Sequence, residues 1–187
     1  MVVAVVISLA LTLVLGFKDP APDEPSPVLS EESDAEPTTA LTSPMNGSAM
    51  PLENVADPVF SSGALGNGVG IVPSDGHVVA PASGTVVTAM DSGHAYGIKT
   101  DDGVEILIHV GLDTVNLKGE GFTPKVSAGR RVARGEPLVD VDLKTVHDAG
   151  YDPTTILVVT NTASLGAVVP IVDGDVTTDA TVVEIDH

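Results

Sequence analysis

Short runs in which apolar and polar residues alternate, broken by glycine- and aspartate-rich turns, dominate the chain from residue 57 onward. A period of two predicts strands that bury one face. Such runs cover 68–71, 77–79, 84–89, 96–100, 104–110, 137–142, 156–160 and 181–184. Pro73-Ser74-Asp75-Gly76, Asp101-Asp102-Gly103 and Asp173-Gly174-Asp175 lie between them and supply turn chemistry. Asp101-Asp102-Gly103 joins two alternating runs, which predicts a hairpin. Helical patterning is confined to 143–149, with Asp142 as N-cap and Gly150 as stop, and to one turn at 114–117. Strands at this spacing with so little helix predict an all-β sandwich or barrel.

The first part of the chain is patterned differently. Residues 1–17 carry no charge, and only Ser8 and Thr12 are clearly polar. That length is close to the shortest that crosses a bilayer core, so a transmembrane helix, or the remnant of one cut from a longer membrane protein, is expected. A secretory signal competes less well, because a basic leading region and a small-x-small cleavage site are missing. Lys18 directly after the run favours a cytoplasmic exit. Residues 18–56 read as a Pro-rich acidic linker. Eight of the fourteen prolines and nine acidic residues fall within 19–58, without one Lys or Arg. Proline stiffness and like-charge repulsion predict an extended, disordered tether there. The folded domain is then expected over 57–187, long enough to bury its own core.

Composition narrows the function classes. A net charge of −18 offers no basic patch to displace phosphate counterions, which excludes nucleic acid as a partner. With no Trp, three Phe and two Tyr, a stacking platform for bases or sugars is also excluded. The core must rest on Val, Ile and Leu, whose β-branched members suit pleated surfaces. The absence of cysteine removes disulfides, thiolate metal sites and a cysteine nucleophile.

Two histidines carry the candidate chemistry. His94 follows the Ser92-Gly93 turn signal, and His109 sits late in the apolar run 104–110 with Gly111 two residues on. Counting outward from Asp101-Asp102-Gly103, His94 lies about seven residues before the turn and His109 about six after it. A hairpin therefore brings both imidazoles to the same end of adjacent strands. Such a pair can act as a nucleophile, a metal site or a pH switch. As a nucleophile, a neutral imidazole attacks phosphorus and forms a labile phosphohistidine. Ile106–Val110 would exclude water, the Gly111 backbone would orient His109, and His94 would donate to the phosphoryl group. A zinc site would need the pair plus Asp113 or Asp91. No His-Glu-x-x-His is present, and His109-Val110-Gly111 stands where a lysostaphin-type zinc endopeptidase needs His-x-His.

From Asp57 onward the chain resembles the IIA domain of the bacterial sugar phosphotransferase system, glucose type. The resemblance is carried by Asp57-Pro58-Val59-Phe60-Ser61-Ser62, Gly66-Asn67-Gly68-Val69-Gly70-Ile71 and Val79-Ala80-Pro81-Ala82-Ser83-Gly84. It continues through Gly93-His94-Ala95, Ile106-Leu107-Ile108-His109-Val110-Gly111-Leu112-Asp113-Thr114 and Leu117-Lys118-Gly119-Glu120-Gly121-Phe122. It implies a β-sandwich of the duplicated hybrid motif type and a cofactor-free phosphotransferase. His109 would accept the phosphoryl group from the phosphocarrier protein HPr and pass it to a cysteine of a IIB domain. His94 would assist, Ser92 would support His94, and Asp113 would stand near the site. Residues 11–20 resemble the end of the last helix of a IIC membrane domain in β-glucoside-type permeases. That implies a chain at the cell membrane with its IIA domain in the cytoplasm. A regulatory docking module switched by phosphorylation of His109 is the alternative use of the same surface.

Overall fold

The computed structural model describes residues 38–172 and 174–187. The expected membrane segment, and residues 18–37 of the expected linker, lie outside the described residues. Among the described residues no helix is long and apolar enough to cross a membrane.

Strands are β1 (Thr38–Thr42), β2 (Gly47–Pro51), β3 (Asn67–Pro73), β4 (His77–Val79), β5 (Gly84–Ala89), β6 (Ala95–Lys99) and β7 (Glu105–His109). They continue as β8 (Phe122–Pro124), β9 (Arg131–Val132), β10 (Pro137–Val141), β11 (Thr155–Val159), β12 (Val168–Pro170), β13 (Gly174–Val176) and β14 (Thr181–Asp186). Two short helices, α1 (Pro58–Ser61) and α2 (Leu143–Asp148), interrupt them. The pairing is antiparallel throughout, in an eight-stranded sheet ordered β13-β2-β3-β11-β7-β6-β5-β9 and two three-stranded sheets, β1-β14-β12 and β4-β10-β8. One continuous core draws Leu41 and Ile185 from the second sheet, Val78 and Leu138 from the third, and Val69, Ile98, Ile108 and Leu157 from the first. This is the all-β architecture that the alternation predicts. The helix at 143–149 is also present, with the Asp142 carboxylate accepting from Lys144 N and Thr145 N.

The expected boundary at residue 57 is wrong. Residues 38–56 are not linker: they form β1, β2 and a helical turn at Leu52–Asn54. Leu41 and Met45 are wholly buried, and Leu52 and Val55 nearly so. Pro44 lies between the two strands and Pro51 closes β2, places where a missing N–H is tolerated. These two prolines border strands and are not part of a tether.

Strand β11 sits between β3 and β7 and is buried along its whole length, so it must satisfy two apolar layers. Leu157 and Val159 enter the main core. Ile156 and Val158 point the other way, into a second cluster with Leu52, Val55, Phe60 and Leu112. Gly70 lets that cluster close on the sheet, because a Cβ there would stand 2.7 Å from Val55 Cγ2.

Tyr96 is fully buried in the main core, and its hydroxyl has no hydrogen-bond partner among the described residues. Burial pushes its ionisation up to about 12. An unmade buried hydrogen bond costs about 1–3 kcal/mol, whereas the ring itself is well packed. Tyr96→Phe is therefore expected to unfold at equal or higher urea concentration than the parent, by about 1 kcal/mol. A lower urea midpoint would show that the hydroxyl is satisfied.

Candidate functional site

The β6–β7 hairpin closes at Asp101-Asp102-Gly103, where Thr100 N donates to Val104 O at 3.0 Å and Gly103 adopts a left-handed φ of +91°. Its register pairs Ala95 with His109 and Gly97 with Leu107. His94 therefore stands at the same end as His109, as residue counting predicts. The ring centroids are 5.1 Å apart and nearly perpendicular, at 77°.

Strand alternation decides which way His109 points. Ile106, Ile108 and Val110 fill the main core. Leu107 and His109 occupy the opposite face, beside Ile156, which is directly across from His109 on β11. The second apolar cluster thus forms the wall behind the imidazole. Phe60 completes it, with its ring centroid 5.2 Å from that of His109. Phe60 is brought there by α1, whose Asp57 carboxylate accepts from Val59 N at 2.7 Å and Phe60 N at 3.3 Å. An aspartate N-cap followed by proline is a helix-start signal, so α1 was readable from Asp57-Pro58. The contact between Phe60 and His109, which sit on distant segments, was not.

The remaining expected site residues are gathered here too. Gly111 bends with φ +76°, and its carbonyl accepts a hydrogen bond from His109 Nδ1 at 2.9 Å. A carbonyl can only accept, so Nδ1 carries the proton and neutral His109 presents the lone pair of Nε2. Ser92 Oγ and His94 Nδ1 share a hydrogen bond of 2.6 Å. Asp113 is an exposed residue in the left-handed region at φ 57°, and with Asp57 it exerts an electrostatic pull on the His109 proton.

Both imidazoles hold their protons less tightly than usual. Burial lowers His109, against the opposing effects of the Gly111 carbonyl, Asp57 and Asp113. Burial and the neighbouring His109 lower His94, which is 5% exposed. Both rings are therefore neutral at pH 7, as a nucleophile requires. The unfolded chain takes up these protons first, so stability is complete above the ordinary value of 6.5 and is lost as pH falls through the lower folded values. Histidine ring-proton titration by NMR should give both midpoints below 6.5. A midpoint at or above that value for His109 would contradict its apolar setting.

Other charged candidates go elsewhere. His77 is exposed and bonds Asp140 through Nδ1 at 2.9 Å. Arg130 pairs with Glu136, and Arg131 with Asp101. Among the described residues no three His, Cys, Asp or Glu side chains are grouped to hold a metal ion.

Comparison with known proteins decides the family. The family model described as phosphoenolpyruvate-dependent sugar phosphotransferase system, EIIA 1, matches residues 39–165. The chain belongs to this family. It is 48% identical over 121 residues to the PTS system glucose-specific EIIA component of Halalkalibacterium halodurans, covering 65% of this chain and 70% of that protein. It is 43% identical over 163 residues to the PTS system beta-glucoside-specific EIIBCA component of Bacillus subtilis (strain 168). That match takes in 87% of this chain but only 26% of the much longer relative. The solved glucose permease IIA from Mycoplasma capricolum superposes with a TM-score of 0.75 at 36% identity, covering 79% of this chain and 96% of that one. The fold is thus the IIA β-sandwich, and the EIIA match begins at residue 39, inside β1.

Proposed function

We propose that His109 takes a phosphoryl group from phospho-HPr and hands it to a cysteine of a IIB domain, coupling phosphoryl flow to sugar uptake through IIC. The observation that carries this reading is the Gly111 carbonyl on His109 Nδ1, which leaves Nε2 as the free nucleophile beside a second imidazole. In the first step the Nε2 lone pair forms a bond to phosphorus while the phosphorus–nitrogen bond of the donor histidine breaks. His109 becomes a phosphoimidazolium whose Nδ1–H keeps donating to the Gly111 carbonyl, with Asp57 and Asp113 balancing its charge. In the second step a thiolate displaces Nε2 and the ring returns to neutral. No proton moves on or off His109, and neither step needs a cofactor. With Ser92 donating to Nδ1, His94 holds its proton on Nε2 and donates it to the phosphoryl oxygens. Such transfer depends mainly on positioning and charge stabilisation.

The surroundings favour delivery by a protein. Asp57 and Asp113 repel a free phosphate dianion and suit cationic side chains of a carrier. Val59 and Val115, each next in sequence to a site residue or its neighbour, are about half exposed. Leu107 and Gly97 line a groove of about 450 Å³ with exposed Val87 on the sheet face that carries His109. An apolar rim of this kind fits a transient docking partner. The name EIIBCA of the Bacillus subtilis relative supports IIB and IIC as the partners of this domain, met at the cytoplasmic side of the membrane. The chain works there either joined to them or in trans.

The test is incubation with enzyme I, HPr and labelled phosphoenolpyruvate. The chain is expected to acquire acid-labile, base-stable phosphate and to lose it to a cognate IIB domain. No label would reject the carrier reading. Label without onward transfer to any IIB domain would favour a regulatory docking module instead.

A further inference from the structure

The loop after β7 is pinned from two sides, and the pins determine which nitrogen of His109 is free. The C=O of Gly111 and the N–H of Leu112 belong to one planar peptide and point in opposite directions. Leu112 N donates to Asp152 O at 2.8 Å, so the Gly111 carbonyl is turned the other way, onto His109 Nδ1. Asp152 is itself fixed, its carboxylate accepting from Thr154 N at 2.8 Å and Thr154 Oγ1 at 2.6 Å. The preceding peptide is held by Thr114, a fully buried polar side chain. Its hydroxyl donates to Val110 O at 2.5 Å and lies 3.4 Å from Gly111 O. Its methyl packs where a Gly111 side chain would be, 2.4 Å from an ideal Cβ. With both neighbouring peptides pinned, Gly111 keeps its left-handed φ of +76°.

We propose that Thr114 is a positioning residue for phosphoryl transfer: by holding the Val110–Gly111 backbone it keeps the Gly111 carbonyl on His109 Nδ1 and so restricts the reaction to Nε2. The inference rests on His109 as the phosphoryl carrier. The hydroxyl of Thr114 is directed at backbone carbonyls, and it acts through that backbone. Without its hydroxyl, Val110 O is unpaired and the loop relaxes. A hydrogen bond of ordinary worth then lost from Nδ1 changes the tautomer ratio of a neutral imidazole by about tenfold.

The experiment compares the full chain with Thr114→Val, which keeps the shape, and Thr114→Ser, which keeps the hydroxyl. Long-range ¹⁵N–¹H spectra of unphosphorylated His109 report the tautomer. Quenched-flow labelling from phospho-HPr reports the rate, and ³¹P–¹⁵N correlation the phosphorylated nitrogen. Thr114→Val is expected to show a mixed tautomer, labelling slowed about tenfold, and some phosphate on Nδ1. Thr114→Ser should retain the parent tautomer, rate and Nε2 product. A folded Thr114→Val with the parent tautomer and product overturns the proposal. If the valine variant does not fold, the serine variant decides: retention of the parent tautomer supports the proposal, and its loss overturns it. The tautomer measurement needs no phosphoryl donor. Failure of the carrier reading, seen as an unlabelled parent chain, is thus distinct from failure of the Thr114 assignment.

Discussion

His109→Ala is expected to abolish phosphate uptake from phospho-HPr, lowering the rate by at least about 10⁴-fold, the scale seen when a covalent nucleophile is removed. The size of the effect follows from the lack of a substitute. His94 is the nearest imidazole, but it is 5% exposed and its Nδ1 is bonded to Ser92. The remaining histidines of the described domain, such as His77 at the exposed start of β4 beside Asp140, lack the apolar wall that Phe60 and Ile156 provide. The loss should be chemical, not structural. His109 lies at the end of β7 on the outer face of the sheet, and Ile106 and Ile108 keep that strand in the core. Far-ultraviolet circular dichroism and the urea midpoint should therefore remain close to the parent's, while acid-labile label disappears. Normal labelling of a folded His109→Ala chain would place the phosphate on another residue, with His94 the first to test.

The histidine pair was legible in the sequence because short-range physics sets it. Asp101-Asp102-Gly103 forms the turn, alternation sets the faces, and the count outward from the turn places both rings at one end. The Gly111 backbone contact was legible for a similar reason, since it lies two residues from His109. What was hidden depends on distant contacts. Leu52, Val55, Phe60, Leu112, Ile156 and Val158 form the wall behind His109, yet they lie on four separate stretches of chain. No local period unites them. Thr114 was hidden for the opposite reason: a threonine after Leu112-Asp113 reads as an ordinary start of a helical turn. Only the fold shows its hydroxyl back on Val110. The N-terminal boundary failed because composition outweighed pattern. Leu41, Met45, Ala49 and Val55 are core positions, but the acidic and proline residues before and among them resemble a tether.

His94→Ala should separate how much phosphate the chain holds from how fast it moves. With phosphoenolpyruvate and enzyme I in excess, the nucleophile is intact and the end-point label should equal the parent's. The transition state is another matter. In a loose transition state the charge is spread over the three phosphoryl oxygens, and a donor fixed beside them is worth about 10²–10³ in rate. The His94 ring lies 5.1 Å from that of His109 and is bonded to Ser92 at 2.6 Å, the placement that the proposed role needs. Onward transfer to IIB is therefore expected to fall by about 10²-fold, and single-turnover labelling from phospho-HPr should slow as well, since the same oxygens are exposed in both directions. His94→Gln, which retains an N–H donor on a side chain of similar reach, should recover part of the loss. The repulsion within the pair lowers His94, whereas burial is what lowers His109. A changed rate with an unchanged His109 midpoint would assign the effect to hydrogen bonding to the phosphoryl group. An alanine variant that transfers at the parent rate would leave His94 as part of the wall and nothing more.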